Sequence, residues 1–197
     1  MNASVAAAKK GWTEAELQAL PKDGFIHELI DGELVSSPLN DSYHGCICVE
    51  ICAALFGFVE PRRLGVVLEA SVGFWMENGN CRGADASFIS RARLKANGFT
   101  RTTRRFFPGA PDLAVEVLAL HDTREAMDKR LKDYFASGTL LAWIIDPKVE
   151  RVEVCRSLTE RRRVVGGAFL DGEDLLPGFS YRVADLFKPW DWEQDYD

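Results

Sequence analysis

Residues 111–118, "PDLAVEVL", place two carboxylates in a stretch that otherwise reads as a buried strand. Leu113, Val115 and Val117 alternate with Ala114, Glu116 and Leu118, so both faces are largely apolar, as in an interior strand covered on two sides. Glu116 therefore points into protein. A buried carboxylate with no partner is costly, so the group must be protonated, paired with a cation, or bound to metal.

Downstream, Thr123 is placed to cap a helix that runs through Ala136 and is stopped by Gly138, and "LLAWIID" (140–146) follows as another buried strand. A strand, helix, strand unit of this kind makes parallel neighbours joined by a right-handed crossover. Upstream the signals change to antiparallel ones. "FIHELIDGELVSSP" carries Asp31-Gly32, a strong hairpin signal, with strands near 25–30 and 33–36. Strand patterns recur at 66–75 and 82–89 around a "MENGN" loop, then in "RVEVCR", "RRVV" and the tail "LPGFSYRVADLF", whose Val183, Leu186 and Phe187 are offered to the core. Helices are expected after Thr13, which forms a capping box with Glu16, and over 42–60, where Ile47, Ile51, Leu55 and Phe58 make a buried stripe. The fold class is α/β, a mixed sheet flanked by the 43–60 and 124–136 helices. With no linker-like tract, 1–197 reads as one domain, residues 1–11 forming a flexible N-terminus.

Three side chains on the 42–60 helix, His44, Cys48 and Cys52, lie four apart. They can be read as metal ligands, but buried cysteine is common and a zinc site wants a fourth ligand, so packing is the stronger reading. Five cysteines without disulfide or CxxC spacing fit reduced thiols in a cytoplasm. No apolar run approaches the length of a membrane span, and the N-terminus lacks the order of a secretion signal. A net charge of −6 excludes bulk coating of nucleic acid. Against that average, "RARLKANGFTRTTRR" (91–105) carries six basic residues and no acidic one, either a solvated loop or a surface for an anionic partner.

A second acid, Asp85 in "CRGADASF", stands in the other central strand pattern. If the two strands are neighbours, Asp85 and Glu116 converge on one rim and make a Mg²⁺ site, since magnesium takes one or two carboxylates and completes its shell with water and phosphate. Ion pairing with arginine is the alternative for each acid. The 124–136 helix can supply such a cation. At about 100° per residue, Met127, Leu131, Tyr134 and Phe135 form its buried face, Lys129 points away, and Arg130 and Lys132 stand about 85° and 115° from the centre of that face. Arg130 is thus best placed to bend back over the sheet.

Taken together, "HELIDGELV", His44-Gly45 opening a helix, "RGADASF", "GAPDLAVEVL", "YFASGTLLAWIIDP" and the C-terminal "LPGF" resemble, in order and spacing, the Uma2 family of the PD-(D/E)XK nuclease superfamily. The resemblance implies a restriction-endonuclease-like core in which Asp85 and Glu116 bind Mg²⁺ or Mn²⁺ and Glu28 joins the site. Where the superfamily has a lysine two residues after the strand glutamate, this chain has Leu118. The family replaces it with a lysine four residues before the helix tyrosine, and here that position is Arg130, with Lys129 or Lys132 as stand-ins. Ala84 stands where the family usually has proline, and Ala119 where it commonly has serine. The expected function is Mg²⁺-dependent hydrolysis of DNA phosphodiester bonds. The alternative is a nuclease-fold protein that binds nucleic acid or a protein partner without cutting. The expected partner is nucleic acid, DNA first, with no membrane; a homodimer is compatible with this reading.

Overall fold

The computed structural model describes residues 4, 5 and 11–193, so most of 1–11 lies outside the described residues. Its strands are β1 (Ser4–Val5), β2 (Phe25–Ile30), β3 (Glu33–Pro38), β4 (Gly65–Glu69), β5 (Phe74–Trp75), β6 (Cys81–Arg82) and β7 (Ala86–Ser90), then β8 (Phe107–Pro108), β9 (Leu113–Val117), β10 (Leu141–Asp146), β11 (Arg151–Cys155), β12 (Arg161–Val165), β13 (Phe169–Gly172) and β14 (Leu176–Arg182). Its helices are α1 (Glu14–Gln18), α2 (Ser42–Val59), α3 (Arg91–Ala96) and α4 (Arg124–Ala136), and a 3₁₀ turn spans Val183–Leu186.

The apolar alternation of 113–117 is explained by the sheet β12-β11-β10-β9-β7-β4, in which β9 is interior. It pairs in parallel with β10, Glu116 level with Ile144, and antiparallel with β7, Ala86 level with Val115. Leu113, Val115 and Val117 face one core with Ile47, Ile51 and Leu55 of α2, with Trp143, and with Val183, Leu186 and Phe187 of the tail. Ala114 faces the other with Met127, Leu131 and Tyr134 of α4. Glu116, in phase with Ala114, therefore points toward α4. By length and apolarity α2 could cross a membrane, but here its inner face lies on the first core.

Expected caps and turns are in place. Thr13 and Glu16 exchange hydrogen bonds as a capping box, the Thr123 hydroxyl accepts from the Ala126 N–H at 3.1 Å, and Asp31 and Gly32 turn the β2–β3 hairpin at φ 53° and 82°. Positive φ at both turn positions suits a hairpin twist.

Three expectations change. The strands are divided between sheets: β1-β3-β2-β6-β5-β8 is a second one, and β13-β14 a third. The 66–75 pattern breaks into β4 and β5, and 82–89 into β6 and β7, each pair in different sheets. At the second break Gly83 is the residue that fits, because a Cβ there would stand 3.0 Å from the Ala70 carbonyl oxygen. Asp85 consequently lies in the link before β7, not in mid-strand. Finally, the basic stretch opens as α3, its N-terminus capped by the Ser90 hydroxyl, rather than as loop.

Candidate functional site

Glu116 meets a cluster of polar groups drawn from α4, from β2 and from the link between β6 and β7. Its Oε1 accepts a hydrogen bond from the Tyr134 hydroxyl at 2.6 Å and lies 3.4 Å from Arg130. Arg130 also donates to the Gly83 carbonyl at 2.8 Å and to Glu28 Oε2 at 2.8 Å. Glu28, arriving on β2, holds the Gly83 N–H with its other oxygen and stands 3.4 Å from Arg82, which in turn pairs with Asp133 of α4 at 2.6 Å. Two arginines thus tie the hairpin sheet to α4 through carboxylates.

Burial pushes the Glu116 carboxyl up to about 8; Arg130 and the Tyr134 hydroxyl oppose that rise, while Asp85 and Glu28 add to it. Burial works against the Arg130 charge as well, but Glu116 and Glu28 outweigh it and keep the guanidinium protonated. Glu116 thus stands beside a cation while burial holds its carboxyl up at about 8.

Asp85 occupies the end of the β7–β9 ladder, one step beyond Ala86 and level with Glu116 by continuation of the register. Its Oδ2 accepts the Val117 N–H at 2.7 Å, a donor the departing β7 backbone no longer serves. The Val117 carbonyl is held by His44 Nε2 at 2.9 Å, and that nitrogen lies 3.4 Å from Asp85 Oδ2. His44 sits in the first turn of α2, whose N-cap Asp41 accepts the His44 N–H at 2.9 Å. Burial draws its imidazole down, yet Asp85, the Val117 carbonyl and Asp41 together raise it above the usual histidine range. On the next turn, Cys48 Sγ lies 3.4 Å from His44 Nδ1. Burial, with Asp85 nearby, pushes that thiol well up.

The fold therefore joins Glu28, Glu116 and Arg130 in one network and brings Asp85 to its edge. It does not bring in Lys132, which is exposed on the outer side of α4 in a shallow depression with Arg124, Glu125, Asp128 and Lys129. Lys129 pairs with Glu125 at 3.2 Å. The basic stretch is divided: Arg93 turns inward to Asp112 and the Gly138 carbonyl, at the opposite end of β9 from Glu116, while Arg91, Arg101 and Arg104 are exposed. Sequence reasoning treated Tyr134 only as core and did not foresee that His44 faces Asp85. The tyrosine's one signal was its place on the turn after Arg130.

The family model described as "Uma2: Putative restriction endonuclease" matches residues 14–184. The chain belongs to the Uma2 family. Among solved structures, this Uma2 protein is similar to one from Anabaena variabilis ATCC 29413 described as "a putative nuclease belonging to DUF820", with a TM-score of 0.76 and 21% identity. The match covers 90% of this chain and 98% of that one, and at that identity it establishes a shared fold. No curated protein matches the Uma2 chain.

Proposed function

We propose that this Uma2 protein is a divalent-metal-dependent endonuclease that hydrolyses phosphodiester bonds of DNA. The observation that carries the reading is a pair of free carboxylate oxygens at the same end of adjacent strands. Among the described residues, Glu116 Oε2 and Asp85 Oδ1 accept no hydrogen bond, while the other oxygen of each is used. Hard oxygens of two carboxylates fit Mg²⁺ or Mn²⁺. Bound there, such a cation supplies Lewis acidity to the phosphoryl oxygen and to the attacking water. Glu116 would hold the cation as a carboxylate, with its proton released to solvent. Arg130 has five N–H donors, of which three are engaged, and a phosphate oxygen would take the remainder. Tyr134 fixes the Glu116 carboxyl from the side opposite the free oxygen. All five cysteines are free, in keeping with a reducing cytoplasm.

Binding without cleavage is the second reading, favoured by one observation. Arg130 rests on both Glu28 and Glu116 and so competes with a cation for Glu116. Incubating supercoiled plasmid and single-stranded DNA with the protein in Mg²⁺, Mn²⁺ or chelator separates the two. The nuclease reading expects cleavage that chelator abolishes and that Glu116→Gln reduces by at least about 10²–10³-fold. DNA retention with no cut product in either metal would establish the second.

A further inference from the structure

We propose that His44, Cys48 and Asp85 form a site for a thiophilic divalent cation of the zinc class. One donor atom from each lies within 4.8 Å of the others. Zinc ligands at about 2.0–2.3 Å leave neighbouring donors of a tetrahedral shell roughly 3.3–3.8 Å apart. The 3.4 Å between Cys48 Sγ and His44 Nδ1 already falls in that range. Asp85 Oδ2 stands 3.4 Å from His44 Nε2 and accepts the Val117 N–H, so its other oxygen is the one left to join them.

The Val117 carbonyl can only accept, so the 2.9 Å contact places a hydrogen on His44 Nε2, which also lies 3.0 Å from Asn40 Nδ2, while Nδ1 faces the thiol. A ring N–H donated to a backbone carbonyl is how ligating imidazoles are commonly oriented. The i, i+4 spacing on α2 sets histidine and cysteine on one face, and the link before β7 brings the Asp85 carboxylate to them. Three protein donors of mixed N, S and O type leave a position for water and select zinc-class ions over magnesium. The inference touches the nuclease reading only through Asp85, which both use.

The test is spectroscopic. The full chain, stripped with chelator and titrated with Co²⁺, should develop a near-ultraviolet thiolate-to-cobalt charge-transfer band. That band should be absent from Cys48→Ser and Cys48→Ala, weakened in His44→Gln and Asp85→Asn, and kept in Glu116→Gln and Cys52→Ser. Zn²⁺ affinity, read by competition with a chromophoric chelator, should fall at least roughly tenfold in either Cys48 variant. Two Cys48 variants guard against a folding defect in one, checked by circular dichroism. No band in folded wild type, or a band that survives loss of Cys48, overturns the site. Mg²⁺-supported DNA cleavage without a cobalt band would remove this site and leave the nuclease. A cobalt band without cleavage in any metal would do the reverse.

Discussion

At the scale of single residues the proposed chemistry turns on Arg130 and Glu116. Arginine keeps its proton under all working conditions, so it can clamp a phosphate but not deprotonate water. If clamping is its part, Arg130→Lys retains measurable cleavage and Arg130→Ala loses about 10²–10³-fold, the scale of losing one such stabiliser. If the position must shed a proton, Arg130→Lys is faster than wild type. Equal rates for all three proteins would remove Arg130 from the site. Glu116 makes a separate prediction through pH. Its carboxyl titrates near 4.5 when unfolded and at about 8 when folded, so the unfolded chain loses the proton first as pH rises. The associated stability is complete below pH 4.5 and disappears as pH passes through 8. In chelator, urea unfolding should therefore show wild-type stability declining from pH 5 to 8. Glu116→Gln, which has no proton to lose, should flatten that decline, and parallel curves for the two proteins would contradict the assignment.

At the scale of elements, α4 is the part on which the site most depends, since it delivers Arg130, Asp133 and Tyr134 together. Removing its N-cap with Thr123→Ala should cost about 1 kcal/mol in urea unfolding. Cleavage should change little, because the ion pairs to Glu28 and Arg82 lie in later turns and hold the helix in place. The same element shows what a sequence can and cannot disclose. Its cap, its apolar face and its parallel crossover between β9 and β10 are local or nearest-neighbour properties, written in Thr123, in the Met127–Leu131–Tyr134 spacing and in the apolar strands on either side. Helical phase even singled out Arg130. The assignment of β5 and β6 to another sheet could not be read the same way, because it rests on pairing with the distant strands β2 and β8. The His44–Asp85 contact was hidden for a related reason. It exists only because Val117 ends β9 with its N–H and C=O both held by side chains, and nothing in the periodicity of α2 points to that strand end.

At the scale of the whole molecule, a chain of net charge −6 must meet a polyanion through a local field, and the 91–105 segment is the obvious source. The structure narrows which of its charges are available. Arg93 is committed to Asp112 and Gly138, and Arg105 donates to the Asn97 carbonyl at 2.9 Å and covers the Phe99 ring, so both hold the segment together. Arg91, Arg101 and Arg104 remain exposed. Arg93 of this segment is anchored at Asp112, just before β9 and four residues, or about 13 Å of extended chain, from Glu116. Neutralising Arg91, Arg101 and Arg104 together with glutamine should leave melting temperature unchanged, since none has a side-chain partner among the described residues. It should weaken DNA binding at low salt and reduce the slope of log affinity against log salt by about 0.9 for each phosphate that the variant no longer neutralises. Cleavage of DNA too short to span both regions should be unaffected. An unchanged salt slope in the triple variant would assign the segment to solubility and leave the field that attracts DNA to be found elsewhere on the surface.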